Sequence, residues 1–137
     1  MKTDQDFLAD AERVARWSLD PSTKVGAVVV KGGEIVGAGF NAFPLWADQS
    51  SQLYADRSFK IEHIRHAEQN AVEQAGFRAR GSTIYVTMPP CRTCATIIQQ
   101  ASIKRVVAPA YWPERWAESI LKAAEFLRFY EIEVDYV

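Results

Sequence analysis

Two short clusters of residues could together hold a metal ion and activate water. The first is His66-Ala67-Glu68, and the second is Pro90-Cys91-Arg92-Thr93-Cys94, which begins 22 residues after the glutamate. One histidine and two cysteines are zinc ligands by type, and the glutamate is a carboxylate that the metal does not need. Structural zinc sites usually have four protein ligands, whereas catalytic sites leave one position for water. Three ligands beside a base therefore predict hydrolytic chemistry on a zinc-bound water.

The rest of the chain offers few other ligands. It has two cysteines and two histidines, which excludes a four-cysteine site. The other histidine, His63, could complete a set of two cysteines and two histidines only if the chain bent sharply before His66. The Cys91–Cys94 pair alone would also suit a redox dithiol, but a redox motif would not use the upstream His-Ala-Glu. We therefore predict one zinc ion per chain, bound by His66, Cys91 and Cys94.

The local structure around the clusters should bring their side chains together. Residues two apart, such as His66 and Glu68, do not share a face in the middle of a helix, but at its first residues both can lean toward a ligand. Cys91 and Cys94, on the first turn of a second helix, would have their thiolates stabilised by the partial positive charge there. Glu68 would move protons between water and substrate, although a carboxylate at a helix start is also commonly only a cap.

Composition is that of a soluble globular protein. The chain has 137 residues, 48% hydrophobic and 24% charged, and we expect residues 1–137 to form a single domain with a continuous core. No apolar run approaches the ~20 residues that span a bilayer, and no signal-peptide pattern is recognisable. Both cysteines belong to the motif, which favours a reducing, cytoplasmic compartment. A net charge of −1 argues against a nucleic-acid partner.

Hydrophobic periodicity predicts helices and strands that alternate around the two clusters. A first helix is expected from Thr3 to Leu19, followed by a hairpin of strands at 25–30 and 34–40. The first of these strands is apolar throughout and should be buried on both faces. The remaining elements are helices at 64–75, 92–101 and 112–129 and strands at 82–88, 104–108 and from 132 onward. Residues 41–60 are predicted to form a long irregular loop, and the sheet should be mixed and covered on both faces.

Four stretches of the chain carry a wider resemblance to a known family. They are Ser22-Thr-Lys-Val-Gly-Ala-Val-Val-Val30, Gly39-Phe-Asn-Ala-Phe-Pro44, His66-Ala-Glu-Gln-Asn-Ala71 and Pro90-Cys-Arg-Thr-Cys-Ala95. The H-x-E…P-C-x-x-C spacing resembles the signature of zinc deaminases. Together the stretches resemble the deoxycytidylate (dCMP) deaminase branch of the cytidine deaminase-like superfamily. The resemblance implies a three-layer α/β/α fold with a mixed five-stranded sheet in the order 2-1-3-4-5, and zinc-dependent hydrolysis of dCMP to dUMP and ammonia.

The resemblance also implies substrate contacts. Asn41 is similar in position to an asparagine that contacts the nucleoside, and Ala67 to a residue whose backbone recognises the ring edge. Without the resemblance, Asn41 would as readily be a turn residue. A phosphate needs cationic or amide donors, and among the cations near the motifs (Lys24, Arg57, Lys60 and Arg65) we place Lys24 and Arg57 first. Tyr111 is a further candidate at the pocket mouth, with plain packing as its alternative role.

Departures from the family pattern leave the substrate open. Ala42 stands where the family often has glycine, and no further Cys/His cluster could hold a second zinc. The same chemistry could act on a free base or nucleoside such as cytosine, cytidine or guanine. The absence of a basic tail disfavours a tRNA adenosine deaminase, and the C-x-x-C spacing disfavours the riboflavin-pathway deaminases. Glu68 argues against a non-catalytic zinc module, which has no use for a base.

Aromatic residues predict self-association. Five residues of the last helix should face the core as one stripe, namely Trp116, Ile120, Ala123, Leu127 and Tyr130. Five other rings would leave more aromatic surface than a small domain needs, unless the long loop covers them: Phe126, Phe129, Trp46, Tyr54 and Trp112. Relatives of this fold commonly assemble, so we expect a homo-oligomer that acts on a small-molecule nucleotide.

Overall fold

A five-stranded mixed sheet forms the centre of the molecule, and the computed structural model describes every residue from Met1 to Val137. The strands are β1 (Gly26–Lys31), β2 (Glu34–Phe40), β3 (Thr83–Val86), β4 (Arg105–Ala108) and β5 (Glu133–Tyr136). Their order is β2-β1-β3-β4-β5. Strand β1 pairs antiparallel with β2 and β3, whereas β3, β4 and β5 run parallel. This order confirms the fold that the resemblance implied.

Helices cover both faces of the sheet. They are α1 (Asp4–Ala15), α2 (Ser51–Ala55), α3 (Arg57–His63), α4 (Ala67–Ala75), α5 (Arg92–Gln100) and α6 (Ala117–Phe129), with 3-10 turns at Gly76–Ala79 and Glu114–Trp116. Helix α1 packs on one face, and α4, α5 and α6 share a core on the other. Strand β1 contributes Val28 to the first core and Val29 to the second, so it is buried on both faces as predicted. None of the helices has both the length and the apolar character needed to cross a membrane.

Residues 41–50 are irregular as the sequence predicted, but residues 51–60 are not. They contain α2 and the start of α3, whose first turn is capped by Asp56. Tyr54 anchors the segment: its buried ring stacks on Phe43 at 4.0 Å between centroids, and its hydroxyl donates to Gln49 at 2.6 Å. The prediction was wrong for residues 51–60 because burial of one aromatic ring orders a segment that is too short to show a periodic pattern.

Two helices begin later than predicted, and both shifts affect the site. Helix α4 starts at Ala67 because Ile64 and Arg65 precede it in extended form and Arg65 forms a β-bridge with Ala42. Helix α6 starts at Ala117, after a 3-10 turn. Trp116, expected on the core-facing stripe of that helix, consequently lines a cavity.

The aromatic residues that suggested self-association fall into two groups. Tyr54 is buried, Trp112 packs on Tyr136 at 5.0 Å, and Phe126 lies under the Arg92 guanidinium at 3.8 Å. Trp46 and Phe129 remain 94% and 78% exposed. The chain therefore covers part of this aromatic surface itself, and self-association stays a prediction.

Helix α4 lies very close to β2, because two glycines of the strand face three alanines of the helix. A Cβ atom at Gly39 would lie 2.4 Å from the Ala71 backbone nitrogen, and one at Gly37 would lie 2.5 Å from the Ala71 carbonyl oxygen. Such distances leave no room for a methyl group. This packing fixes the start of α4, where the first functional cluster lies.

We expect Gly39→Ala to lower the free energy of unfolding by about 3 kcal/mol, because the added methyl group would collide with backbone atoms that cannot move independently. Gly32→Ala is the matched control. An added Cβ there has no atom within 4 Å, and its φ of +59° limits the cost to left-handed strain of roughly 1 kcal/mol. Urea denaturation would measure both values. Equal losses in the two variants would show that the close approach of α4 contributes little.

Candidate active site

The two sequence clusters meet where α4 and α5 begin. His66 is the residue immediately before α4, and Cys91 is the residue immediately before α5. Both have extended backbones, with ψ values of 154° and 172°, as expected of residues that precede a helix. Glu68 and Cys94 lie in the first turns of the same two helices. The positive ends of both helices therefore point at the cluster and favour negatively charged ligands.

Three side chains of the cluster have the spacing that a zinc ion requires. The ligand atoms of His66, Cys91 and Cys94 all lie within 4.8 Å of one another. The Nδ1 atom of His66 is 3.1 Å from Cys94 Sγ and 3.7 Å from Cys91 Sγ. In a tetrahedral site with Zn–N of about 2.0 Å and Zn–S of about 2.3 Å, such atoms lie roughly 3.6 Å apart. These donors fit zinc, whereas His63 stacks on Phe59 and is outside the group.

The two thiols differ in how readily they ionise. Hydrogen bonds from Cys94 and His66 lower the pKa of Cys91 to about 4. The hydrogen bond between Cys94 and Cys91 and the burial of Cys94 raise the pKa of the Cys94 thiol, and repulsion from the nearby Glu68 carboxylate and Cys91 thiolate adds to this. A bound dication removes that repulsion and favours two thiolates. The donor set therefore suits a divalent metal that accepts sulfur ligands.

Glu68 is the buried acid of the site. Its side chain is beside the Cys94 thiol, and the residue is only 4% exposed. Burial raises the pKa of the Glu68 carboxyl to about 7, because the charged form loses its hydration. A group with a pKa near neutrality can both accept and donate protons, as general acid–base catalysis requires.

A cavity of about 720 Å³ opens beside the cluster. His66, Glu68 and Cys91 line it on one side. Its other walls come from residues 20–25, α3 and the 114–120 segment. The cavity is thus the one place in the fold where the metal ligands, the acid and a substrate could meet.

The structure places three of the five predicted substrate residues in this cavity. Asn41, Ala67 and Arg57 line it. Lys24 does not, because it is exposed and its ammonium group donates to the Ser18 carbonyl. Tyr111 is 80% exposed and is also outside the lining.

Asn41 is held by several hydrogen bonds. Its Oδ1 accepts from the Val25 N–H at 2.9 Å, and its Nδ2 donates to the Thr23 carbonyl at 2.8 Å and to Asp20 at 3.4 Å. Both amide protons are therefore used, and one lone pair of Oδ1 remains for a ligand. Asn41 lies at a bend after β2 and also lines the cavity, and its contact with the substrate stays a prediction.

The sequence analysis did not assign Arg115 or Trp116 to the site. Arg115 and Trp116 both line the cavity, and the Arg115 guanidinium lies over the Trp116 ring at 4.8 Å from its centroid. Such stacking restrains a cation without neutralising it. Pro113 was the available signal, since proline favours the first turn of a helix and could have marked the late start of α6. Lys60 also lines the cavity, but it is paired with Asp20 at 3.0 Å.

Comparison with protein families identifies the fold and the cluster. Residues 1–110 match the family described as the cytidine and deoxycytidylate deaminase zinc-binding region. The match includes both clusters and Asn41 and ends before Arg115. An uncharacterized deaminase in the luxG 3′ region of Aliivibrio fischeri is 37% identical over 134 residues, which cover 96% of this chain and 90% of that protein.

Other relatives have more specific descriptions. A probable deoxycytidylate deaminase of Drosophila melanogaster is 33% identical over 84% of this chain and 61% of that protein. The dCMP deaminase of cyanophage S-TIM5, solved with dCMP and dUMP, has a TM-score of 0.76 and 27% identity over 100% of this chain and 99% of that one. The riboflavin biosynthesis protein RibD of Aquifex aeolicus is 40% identical over 84% of this chain, but this covers only 28% of that protein.

Overall sequence similarity therefore does not decide between dCMP deaminases and riboflavin-pathway proteins, because both groups match this chain. The C-x-x-C spacing, in contrast, was expected to disfavour a riboflavin-pathway deaminase. Several relatives are also longer than this chain, which spans less than two thirds of the Drosophila protein. The family match and the similarity over the full length of the chain nevertheless agree with the zinc-binding cluster of His66, Cys91 and Cys94. The chain belongs to the cytidine and deoxycytidylate deaminase family of zinc-binding hydrolytic deaminases.

Proposed function

We propose that this protein hydrolyses dCMP to dUMP and ammonia. The observation that supports this substrate is one cavity that joins the zinc-binding cluster and Glu68 to the cations Arg57, Lys60 and Arg115. A nucleotide carries its reactive ring and its phosphate at opposite ends, so it needs both kinds of group. The dCMP deaminases among the relatives agree with this assignment.

The residues of the cluster divide the chemistry between them. His66, Cys91 and Cys94 would hold one zinc ion per chain, and zinc bound there lowers the pKa of water and so supplies a nucleophile at neutral pH. Glu68 accepts a proton from the attacking water and delivers it to the ring nitrogen beside the amino-bearing carbon. It then takes the second proton of that water, from the hydroxyl now on the ring carbon, and delivers it to the amine, which departs as ammonia. A carboxyl with a pKa of about 7 can perform both transfers.

Arg57 and Arg115 are our candidates for the phosphate. Lys60 already forms a salt bridge with Asp20, whereas neither arginine pairs with an acid. At the other end, we assign the backbone of Ala67 to the ring edge, and the remaining lone pair of Asn41 Oδ1 can accept from a hydroxyl of the sugar. These roles place the substrate along the length of the cavity.

We expect Arg57→Gln and Arg115→Gln to lower kcat/KM for dCMP while leaving deoxycytidine almost unaffected. A charge-assisted hydrogen bond contributes ~1.5–3 kcal/mol, which corresponds to a loss of roughly 10- to 150-fold for the arginine that holds the phosphate. Arg80→Gln is the control, because Arg80 is exposed and outside the cavity. Steady-state kinetics on both substrates would measure the difference, and rising salt should weaken the dCMP reaction more.

Two results would contradict a phosphate-binding role. One is a parent enzyme that uses dCMP and deoxycytidine with equal kcat/KM. The other is a pair of arginine variants that lose activity equally on both substrates. Either result would favour the nucleoside or free-base alternative and leave the zinc chemistry unchanged.

We further propose that the protein is a cytoplasmic homo-oligomer. The thiolate ligands suit a reducing compartment, and the exposed Trp46 and Phe129 offer apolar surface for a second copy.

A further inference from the structure

Asn70 belongs to the first cluster's sequence stretch but does not line the cavity. Its Nδ2 donates to the Phe40 carbonyl at 2.8 Å, and its Oδ1 accepts from Arg65 Nε at 2.9 Å. Phe40 is the last residue of β2 and directly precedes Asn41. One side chain of α4 is therefore bonded to the end of the strand that carries a proposed substrate contact.

Arg65 completes this connection from the other side of Asn41. Its backbone N–H donates to the Ala42 carbonyl at 2.8 Å, and its carbonyl accepts from the Ala42 N–H at 3.1 Å. Asn41 is thus bracketed, because Asn70 holds the residue before it and Arg65 holds the residue after it. The Arg65 side chain in turn holds Asn70, so the bonds form a closed ring.

We propose that Asn70 is a positioning residue that fixes Asn41 relative to the zinc-binding end of α4. The inference rests on the proposed function in one respect, the contact between Asn41 and the substrate. Helix α4 itself is held by its close packing on Gly37 and Gly39. Loss of the Asn70 amide removes the bond between α4 and Phe40, which should loosen residues 40–42 relative to α4 and leave Glu68 in place, so substrate binding should suffer and proton transfer should not.

Gln74 provides a matched control for Asn70. It lies one turn further along α4, and its Oε1 accepts from the Ala38 N–H of the same strand at 2.7 Å. We expect Asn70→Ala to raise KM for dCMP about tenfold, with kcat within threefold of the parent and zinc content unchanged. Gln74→Ala should change KM by less than threefold. Equal changes in KM, or a loss of kcat at constant KM, would overturn the proposal.

Residue-resolved hydrogen exchange tests the same idea without any substrate. The Asn41 N–H is bonded to the Val25 carbonyl at 3.2 Å, and the Ala42 N–H to Arg65. Both should exchange faster in Asn70→Ala than in Gln74→Ala, and equal rates would overturn the structural part of the proposal. Failure of the proposed function would instead appear in the parent, as an absence of dCMP turnover.

A double-mutant cycle separates positioning from general destabilisation. If Asn70 acts through Asn41, the double variant Asn70→Ala/Asn41→Ala should have the KM of Asn41→Ala alone, whereas independent effects would multiply. Multiplied effects would therefore contradict the proposal. The substrate for this cycle is whichever compound the parent enzyme turns over.

Discussion

Glu68→Gln is expected to keep the fold and the zinc but to lose about 10²–10⁴-fold in kcat. Glutamine has nearly the shape of glutamate and no charge, so it suits a position that is only 4% exposed. It cannot, however, accept a proton from water or deliver one to the ring or the amine. Because one carboxylate serves several transfers, the loss should lie toward the upper end of this range. Zinc content and kcat should be measured on the same sample.

Glu125→Gln is the control for this substitution, because Glu125 is an exposed carboxylate of α6 outside the cavity. Its kcat should remain within about twofold of the parent, as expected for a surface change. A Glu68→Gln enzyme that turned over within a few-fold of the parent would show that Glu68 only caps α4.

Cys94→Ser is expected to lose most of the zinc and at least about 10³-fold of the activity. A serine hydroxyl is not ionised at neutral pH and binds zinc poorly, so only His66 and Cys91 would remain as ligands. The substitution leaves the backbone of α5 unchanged, and the loss should follow the metal. Elemental analysis per chain and thermal unfolding would record both consequences.

The second histidine supplies the control for metal loss. His63→Gln should retain about one zinc per chain, because His63 lies against Phe59 and away from the ligand group. Full zinc occupancy with native stability in Cys94→Ser would refute the ligand assignment. Loss of zinc in His63→Gln would indicate a fourth ligand.

Local sequence patterns predicted the sheet and the cluster because both depend on short-range signals. The apolar run Val28-Val29-Val30 identified a strand buried on both faces, and it lies next to the centre of the sheet. Each cluster was predicted to lie at the start of a helix, which would orient its side chains. Helices do begin at both, directly after His66 and directly after Cys91.

The substrate-binding wall depended on long-range packing that spacing does not reveal. Lys24 is close to a motif in sequence, but its ammonium group turns to a carbonyl outside the cavity. Arg115 is 21 residues beyond Cys94 in sequence, yet the start of α6 brings it into the cavity wall. The helix stripe placed Trp116 in the core because the helical periodicity was extended back over the 3-10 turn Glu114–Trp116, which precedes α6. Such residues can be found only once the tertiary structure is known.

Formation of dUMP from dCMP by the purified protein, with zinc counted in the same sample, tests the proposed function most directly. We expect one zinc per chain, equal amounts of dUMP and ammonia, and a higher kcat/KM for dCMP than for deoxycytidine, cytosine or guanine. Removal of zinc by a chelator should abolish the reaction, and added zinc should restore it. A zinc-loaded protein that deaminates another compound of this panel, or none of them, but leaves dCMP unchanged would contradict the assignment.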